Sequence, residues 1–213
     1  MPDIIHAEQI EYLRKLRLPE DPLILEMEDF AAANKVPILD WKSAEFLGQM
    51  ISTKKPKDVL EIGTAIGYSS IRIARRLRKN ASLDTIEKSK PNIKLAKGFI
   101  KRAKLGTVIN IIEGDALKVM PRLDKVYDFI FLDADKQDYE KLFLLSLMIL
   151  KKGGVIFVDN LLWKGYAAAK SVPTEYQNST RIICEFNTTF LNNTAIKSAI
   201  MPIGDGIGIG IKI

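Results

Sequence analysis

The stretch that most constrains this chain is Val59-Leu60-Glu61-Ile62-Gly63-Thr64-Ala65-Ile66-Gly67-Tyr68-Ser69-Ser70, where an apolar run ends on an acid and breaks into a glycine turn. The run predicts a strand, the glycines a turn at its carboxyl end, and the periodicity from Ser69 onward a helix. Lacking a Cβ, Gly63 and Gly67 permit a sharp turn and the close approach of a ligand. Glu61 is then expected to project at the mouth of a sheet, where ligands of open α/β folds bind. The spacing is G-x-x-x-G. It is not the G-x-G-x-x-G that lays a pyrophosphate on a helix N-terminus, so a diphosphate is not the expected ligand. A plain tight turn of some other doubly wound fold stays open on this stretch alone.

From Asp58 onward, short Val/Ile/Phe-rich runs at 59–62, 82–86, 108–112, 129–133 and 155–159 alternate with helical patterns at 69–78, 91–104 and 136–150. Apolar strands separated by helices predict a parallel sheet buried on both faces. Gly153-Gly154 is expected to close the helix that precedes the fifth strand. A further helix at 176–191 leads to a strand at 195–201, a turn at Gly204-Asp205-Gly206 and a last strand at 207–213. So short a turn predicts a hairpin, with the last strand antiparallel to its neighbours. Its alternating Gly-Ile pattern predicts close backbone packing.

Three helices are expected ahead of the sheet. The first covers 4–18 and stops at Pro19; the second is capped by Asp21 with Pro22 at its first position and runs to Asn34; the third starts at Asp40 and reaches Ile51. With 213 residues, one domain is expected, in which residues 1–55 are a helical addition and 56–213 the sheet core. No stretch reaches the roughly 20 apolar residues of a membrane span, and the first residues lack the pattern of a signal peptide, so a cytoplasmic protein is expected. Cys184 is the only cysteine and His6 the only histidine. A disulfide, a thiolate cluster, a histidine metal site and Ser-His-Asp chemistry are thereby disfavoured, and a catalytic base must be Lys, Asp, Glu or Tyr.

Ligands of such a sheet bind beyond the carboxyl ends of its strands, and acids stand there in series: Glu61, Glu87, Asp115, Asp133, Asp135 and Asp159, the last followed by Asn160. Glu87 follows the glycine turn by about twenty residues, the separation at which a carboxylate can accept both hydroxyls of a ribose. It could instead be a surface acid paired with Lys88 or Lys90. Asp133, Asp159 and Asn160 are an all-oxygen set that suits Mg²⁺ or another hard divalent cation. Lys136, three residues beyond Asp133, could place its amine over that cation, which disfavours the ammonium form and makes the lysine a candidate base. The alternative is that Asp133 and Asp135 cap the following helix and leave Lys136 in solvent.

Phe131-Leu132-Asp133-Ala134-Asp135-Lys136-Gln137-Asp138-Tyr139, Gly153-Gly154-Val155-Ile156-Phe157-Val158-Asp159-Asn160 and Gly63-Thr64-Ala65-Ile66-Gly67-Tyr68-Ser69 together resemble the cation-dependent class I S-adenosylmethionine O-methyltransferases of the catechol and caffeoyl-coenzyme A type. The resemblance spans nearly the whole chain. It implies an α/β Rossmann-like fold with a seven-stranded, mostly parallel sheet, an antiparallel last strand and helices on both faces. It implies Asp133, Asp159 and Asn160 as metal ligands and Lys136 as catalytic base. It further implies Glu61, Gly63 and Ser69 at the methionine moiety of S-adenosylmethionine, Glu87 on its ribose, Asp115 and Ala116 near its adenine, with Leu39 and Asp133 bordering the cofactor.

Within that family the chain resembles a compact bacterial branch, the tRNA 5-hydroxyuridine methyltransferases, through Val36-Pro37-Ile38, the Gly63 turn and Pro202-Ile203-Gly204-Asp205-Gly206. This resemblance implies methylation of wobble-position 5-hydroxyuridine, whose hydroxyl beside a carbonyl could chelate Mg²⁺ as a catechol does. The net charge of +6, a middle third rich in Lys and Arg, and the aromatic Trp163-Lys164-Gly165-Tyr166 agree with an RNA partner. A small catechol-like phenol is the alternative acceptor, and a non-catalytic S-adenosylmethionine-binding protein the alternative class. The resemblance and the apolar positions of the N-terminal helices also point to a homodimer.

Overall fold

The computed structural model describes residues 7–17 and 21–213, and the chain divides into two compact units, Met1–Val36 and Pro37–Ile213. The first unit holds α1 (Ala7–Lys15) and α2 (Pro22–Asn34). The expected start of the first helix at Ile4 and Ile5, its stop at Leu18-Pro19, and His6 all lie outside the described residues. Asp21 caps α2, its carboxylate accepting from the Leu23 amide at 2.7 Å. Lys35, at φ +53°, ends the helix in a left-handed turn.

The second unit carries α3 (Trp41–Lys54), β1 (Asp58–Ile62), α4 (Tyr68–Arg76), β2 (Ser82–Glu87), α5 (Lys90–Arg102), β3 (Ile109–Glu113), α6 (Ala116–Val119), β4 (Tyr127–Leu132), α7 (Tyr139–Ile149), β5 (Leu150–Val158), α8 (Thr174–Asn192), β6 (Ile196–Met201) and β7 (Ile207–Lys212). The helix α3 thus falls with the sheet rather than with α1 and α2. The seven strands form one sheet in the order β3-β2-β1-β4-β5-β7-β6. Pairs among β1 to β5 are parallel, whereas β7 runs antiparallel to both β5 and β6. The expected fold class is the one observed.

The two-residue period of the strands sorts their side chains between the faces. Leu60, Ile62, Ile130, Leu132, Ile156 and Val158 pack with Phe143, Phe186 and Phe190 of α7 and α8. Phe129, Phe131 and Phe157 point the other way, where Phe157 meets Phe46 of α3 at 5.9 Å between ring centroids. Both faces are covered, which is why the strands read as continuous apolar runs. Each buried phenylalanine contributes roughly 2–3 kcal/mol relative to an exposed one. The Gly-Ile alternation of β7 has the expected cause. A Cβ on Gly210 would stand 2.7 Å from Ile196 Cδ1, and one on Gly208 2.5 Å from Leu161 Cδ1.

Two expectations are corrected. Gly153-Gly154 does not close a helix: α7 already ends at Ile149, and Leu150 is extended and pairs with Tyr127. The glycines lie inside β5, where the register to β4 shifts between Tyr127 and Phe129. Gly153 takes φ +71°, and a Cβ on Gly154 would sit 2.7 Å from the Lys151 carbonyl, so the pair makes a bulge. The helical pattern at 136–150 also resolves into a 3-10 turn at Lys136–Asp138 followed by α7. The short α6, which was not expected, follows β3 directly and is capped by Asp115.

Candidate active site

Register brings the site together. Ile62 lies opposite Leu132, and Leu132 opposite Val158, so the next residues on β1, β4 and β5, namely Gly63, Asp133 and Asp159, emerge on one edge of the sheet. The ladder continues one step beyond the strands: the Asp133 amide donates to the Ile62 carbonyl at 3.0 Å and the Asp159 amide to that of Leu132 at 3.1 Å.

Lys136 is turned into this edge rather than into solvent, its side chain only 12% exposed. Its Nζ lies within hydrogen-bonding distance of four acceptors, Asn160 Oδ1 at 2.6 Å, Tyr139 Oη at 2.5 Å, the Ala134 carbonyl at 3.2 Å and Asp133 Oδ1 at 3.3 Å. Tyr139 is fully buried, and its hydroxyl donates a hydrogen bond to the Asp159 carbonyl at 3.1 Å. Burial and the charges of Asp133 and Asp159 hold its phenol well above the ordinary range, so it stays a neutral donor. The helix-cap alternative fails on geometry. Asp135, at the cap position, makes no side-chain capping bond and instead pairs with Lys88 at 2.5 Å on the surface.

Asp159 is 3% exposed, and its Oδ1 has no hydrogen-bond partner. Burial first, and then the charge of Asp133, push its carboxyl well above the usual carboxylate range. An unpartnered carboxylate oxygen in such a place is costly unless something cationic meets it. Asp133, Asp159 and Asn160 therefore fit a hard divalent cation, which would meet the orphaned oxygen. Among the described residues no group of three or more His, Cys, Asp or Glu converges. Two carboxylates and one amide oxygen are a sparse set, as Mg²⁺ prefers when substrate oxygens or waters complete its shell.

The glycine turn borders the same edge. Gly63 adopts φ +106°, and a Cβ there would lie 1.8 Å from the Asp133 carbonyl oxygen. Its glycine is thus required by the chain itself, not only by an approaching ligand. Glu61 corrects a third expectation: it does not project at the mouth but is fully buried. It accepts from Ser69 Oγ at 2.5 Å, from Thr85 Oγ1 at 2.6 Å and from Ser70 Oγ. Burial raises its carboxyl to about 7 against the pull of those hydroxyls. Glu61 and Ser69 thus tie β1 and β2 to the first turn of α4 from beneath. Gly67, which caps α4 at φ +86°, offers no side-chain cap.

Glu87, at the end of β2, accepts from the Ala65 amide of the turn and from the Ser89 amide, both at 2.8 Å, and does not pair with Lys88 or Lys90. The Gly114 amide donates to the Glu87 carbonyl at 2.9 Å, which sets Asp115 and Ala116 beside it. Asp115 uses one oxygen to cap α6 through the Leu117 amide at 2.9 Å. Leu39 is buried just before α3, whose Ser43 Oγ would lie 2.1 Å from a Cβ on Gly204. The first turn of α3 is thereby packed against the hairpin turn that borders Asn160.

Three participants were not foreseen. Tyr139, three residues beyond Lys136, is at a spacing that a single helical turn brings onto the same face. Asp205 accepts from Asn160 Nδ2 at 3.1 Å across 45 residues of sequence, and no local pattern announces that contact. Ser179 accepts from Trp163 Nε1 at 2.9 Å and fixes an indole whose ring centre is 5.7 Å from Lys136 Nζ. Tyr176 and Tyr166 extend this aromatic wall, stacked at 5.1 Å.

The O-methyltransferase family signature matches residues 16–213. The chain is 30% identical over 208 residues to a catechol O-methyltransferase of Niastella koreensis, covering 94% of this chain and 90% of that one. It is 32% identical over 178 residues to a caffeoyl-CoA O-methyltransferase of Medicago sativa, covering 79% and 72%. Among solved structures, an O-methyltransferase from Bacillus cereus in complex with SAH superposes with a TM-score of 0.84 at 25% identity, covering 95% and 96%. Fold, site geometry and sequence agree: this chain belongs to the O-methyltransferase family.

Proposed function

We propose that this protein is a cation-dependent, S-adenosylmethionine-dependent O-methyltransferase whose acceptor is 5-hydroxyuridine at the wobble position of tRNA. The observation that carries the reaction is the convergence of Lys136 Nζ on Asn160 Oδ1 and Asp133 Oδ1 beside the unpartnered Asp159 Oδ1. A divalent cation held by Asp133, Asp159 and Asn160 would supply positive charge that lowers the pKa of an acceptor hydroxyl. S-adenosylmethionine would supply the methyl group on its sulfonium.

The chain's residues do the rest. Glu87 presents a carboxylate already fixed by two backbone amides, with lone pairs left for the ribose hydroxyls. Glu61 and Ser69 hold the Gly63 turn from below, and Asp115 and Ala116 border the adenine end. Trp163, pinned by Ser179, walls the acceptor side and keeps water out. With its amine neutral, Lys136 Nζ would accept the acceptor hydroxyl's proton, and the phenol oxygen of Tyr139, which receives a hydrogen bond from that amine, holds it in place. Orientation of acceptor oxygen and methyl donor along one line supplies much of the acceleration.

Charge supports RNA over a small phenol. Some of the expected basic side chains are spent within the protein, with Arg72 and Arg76 on Glu45 and Lys88 on Asp135. Lys97, Lys101 and Lys104 instead line an open cleft between α5 and the edge strand β3. That cleft flanks β3 from its start, about 16 Å of strand from the catalytic edge. Its cations suit phosphates of a stem rather than the modified base. The exposed Tyr12 and Leu13 of α1 and Leu16 just after it are a surface that a second copy could cover, and a homodimer belongs to this proposal. Placement of the protein in the cytoplasm, where tRNA is modified, belongs to it as well.

Methyl transfer from labelled S-adenosylmethionine to tRNA carrying 5-hydroxyuridine, run beside a simple catechol, tests the acceptor. Label at the wobble base supports the proposal. Label on the catechol alone keeps the reaction and rejects tRNA, while label on neither supports a binding protein without this activity.

A further inference from the structure

The hairpin turn between β6 and β7 is hydrogen-bonded directly to Asn160. Asp205, at its centre, receives two donors from the segment after β5: Asn160 Nδ2 reaches Oδ2 at 3.1 Å, and the Lys164 amide reaches Oδ1. The turn is anchored to the same segment by backbone bonds, from the Leu161 amide to the Gly206 carbonyl at 2.9 Å and from the Leu162 amide to the Asp205 carbonyl at 2.8 Å. Gly206, at φ +88°, leaves no room for a side chain, since its Cβ would lie 2.5 Å from the Leu162 nitrogen.

We propose that Asp205 is a positioning residue that selects the rotamer of the Asn160 amide, so that Oδ1 and not Nδ2 faces the cation site and Lys136. The inference rests on the reading of Asn160 as a metal ligand. An asparagine amide has one end that accepts and one that donates, and only the oxygen can ligate a cation. An ionised Asp205 only accepts, so only the NH₂ end of Asn160 can meet it. The carbonyl oxygen is then left pointing at Lys136 Nζ, 2.6 Å away. Partners behind a ligand commonly fix its orientation in this way.

The arrangement makes Asp205→Asn informative. The Lys164 amide, a donor, must still be met by an oxygen, so the new amide places its NH₂ where Oδ2 was. That NH₂ faces the NH₂ of Asn160, and Asn160 turns over to offer its oxygen, which presents Nδ2 to the cation site. In an Asn160→Asp background the same change has no such effect, because a carboxylate has no wrong end.

The test is Mn²⁺ affinity, read by the electron paramagnetic resonance of free Mn²⁺, in wild type, Asp205→Asn, Asn160→Asp and the double variant. Thermal melting and S-adenosylmethionine affinity are recorded for each. The expected result is a loss of Mn²⁺ affinity of about tenfold or more for Asp205→Asn against wild type. The same substitution should cost less than about threefold in the Asn160→Asp background, with S-adenosylmethionine affinity unchanged. An equal loss in both backgrounds, or no loss in either, overturns the proposal. So does an Asp205→Asn protein that loses Mn²⁺ only because it no longer melts cooperatively. A wild-type protein that binds no Mn²⁺ overturns the metal reading itself, which the wild-type titration shows before any variant is compared.

Discussion

Gly63 and Asp133 share one space: a Cβ on the glycine would stand 1.8 Å from the aspartate's carbonyl oxygen. The turn at the end of β1 and the first acid after β4 are therefore built as one piece. Gly63→Ala must displace Asp133 and also force φ +106° on an L-residue. We expect it to destabilise the fold by about 3 kcal/mol or more, measured by urea unfolding. A cost below about 1 kcal/mol would contradict this packing.

Glu61 predicts a pH dependence. Its carboxyl is raised to about 7 in the folded protein from an ordinary 4.5, so between these values the folded state binds the proton that the unfolded state has released. Stability must then fall as pH rises through this window, by on the order of 3 kcal/mol from this group. Glu61→Gln cannot ionise. It should match the wild type in stability near pH 5 and exceed it near pH 8, as urea unfolding at the two values would show. Equal stability at both values would mean that Glu61 is not held in a dry environment.

These two residues show what a sequence can and cannot disclose. The alternation of strands and helices, the antiparallel β7 and the acids at the strand ends were legible, because apolar runs and turn residues carry them locally, whereas the order of the strands across the sheet was not. The role of Gly63 was only half legible. A glycine after a strand announces a turn, but the carbonyl that forbids its Cβ belongs to a residue 70 positions later. Glu61 misled because β1 is buried on both faces, so no alternation says which way its acid points. Its partners, Ser69, Ser70 and Thr85, lie on two other elements. Gly153-Gly154 misled differently, since a helix stop and a strand bulge use the same residue for the same left-handed backbone. Asp205 was recognisable as a turn residue, but its hold on Asn160 exists only after the hairpin has docked.

Lys136→Met removes the proposed base while keeping a side chain of similar length. Turnover should fall by roughly 10²–10⁴-fold, with S-adenosylmethionine and Mn²⁺ each binding within a few-fold of the wild type. Turnover within tenfold of the wild type, measured by label transfer at saturating donor, would mean that another group takes the proton.

Glu87→Gln leaves one acceptor oxygen where the carboxylate had two. Either Ala65 or Ser89 loses its backbone partner, at a cost of about 1–2 kcal/mol in stability. The lost charge-assisted bonds to the ribose should weaken S-adenosylmethionine by about tenfold or more in calorimetry. Unchanged donor affinity would place the ribose elsewhere.

The account turns on the unpartnered oxygen of Asp159, and the most direct measurement is methyl transfer by the chelator-stripped protein before and after Mg²⁺ is returned. The account predicts that the stripped protein is inactive, that Mg²⁺ restores transfer, and that Asp159→Asn is not restored. Full transfer in the presence of chelator, or an Asp159→Asn protein that works as the wild type does, would contradict it.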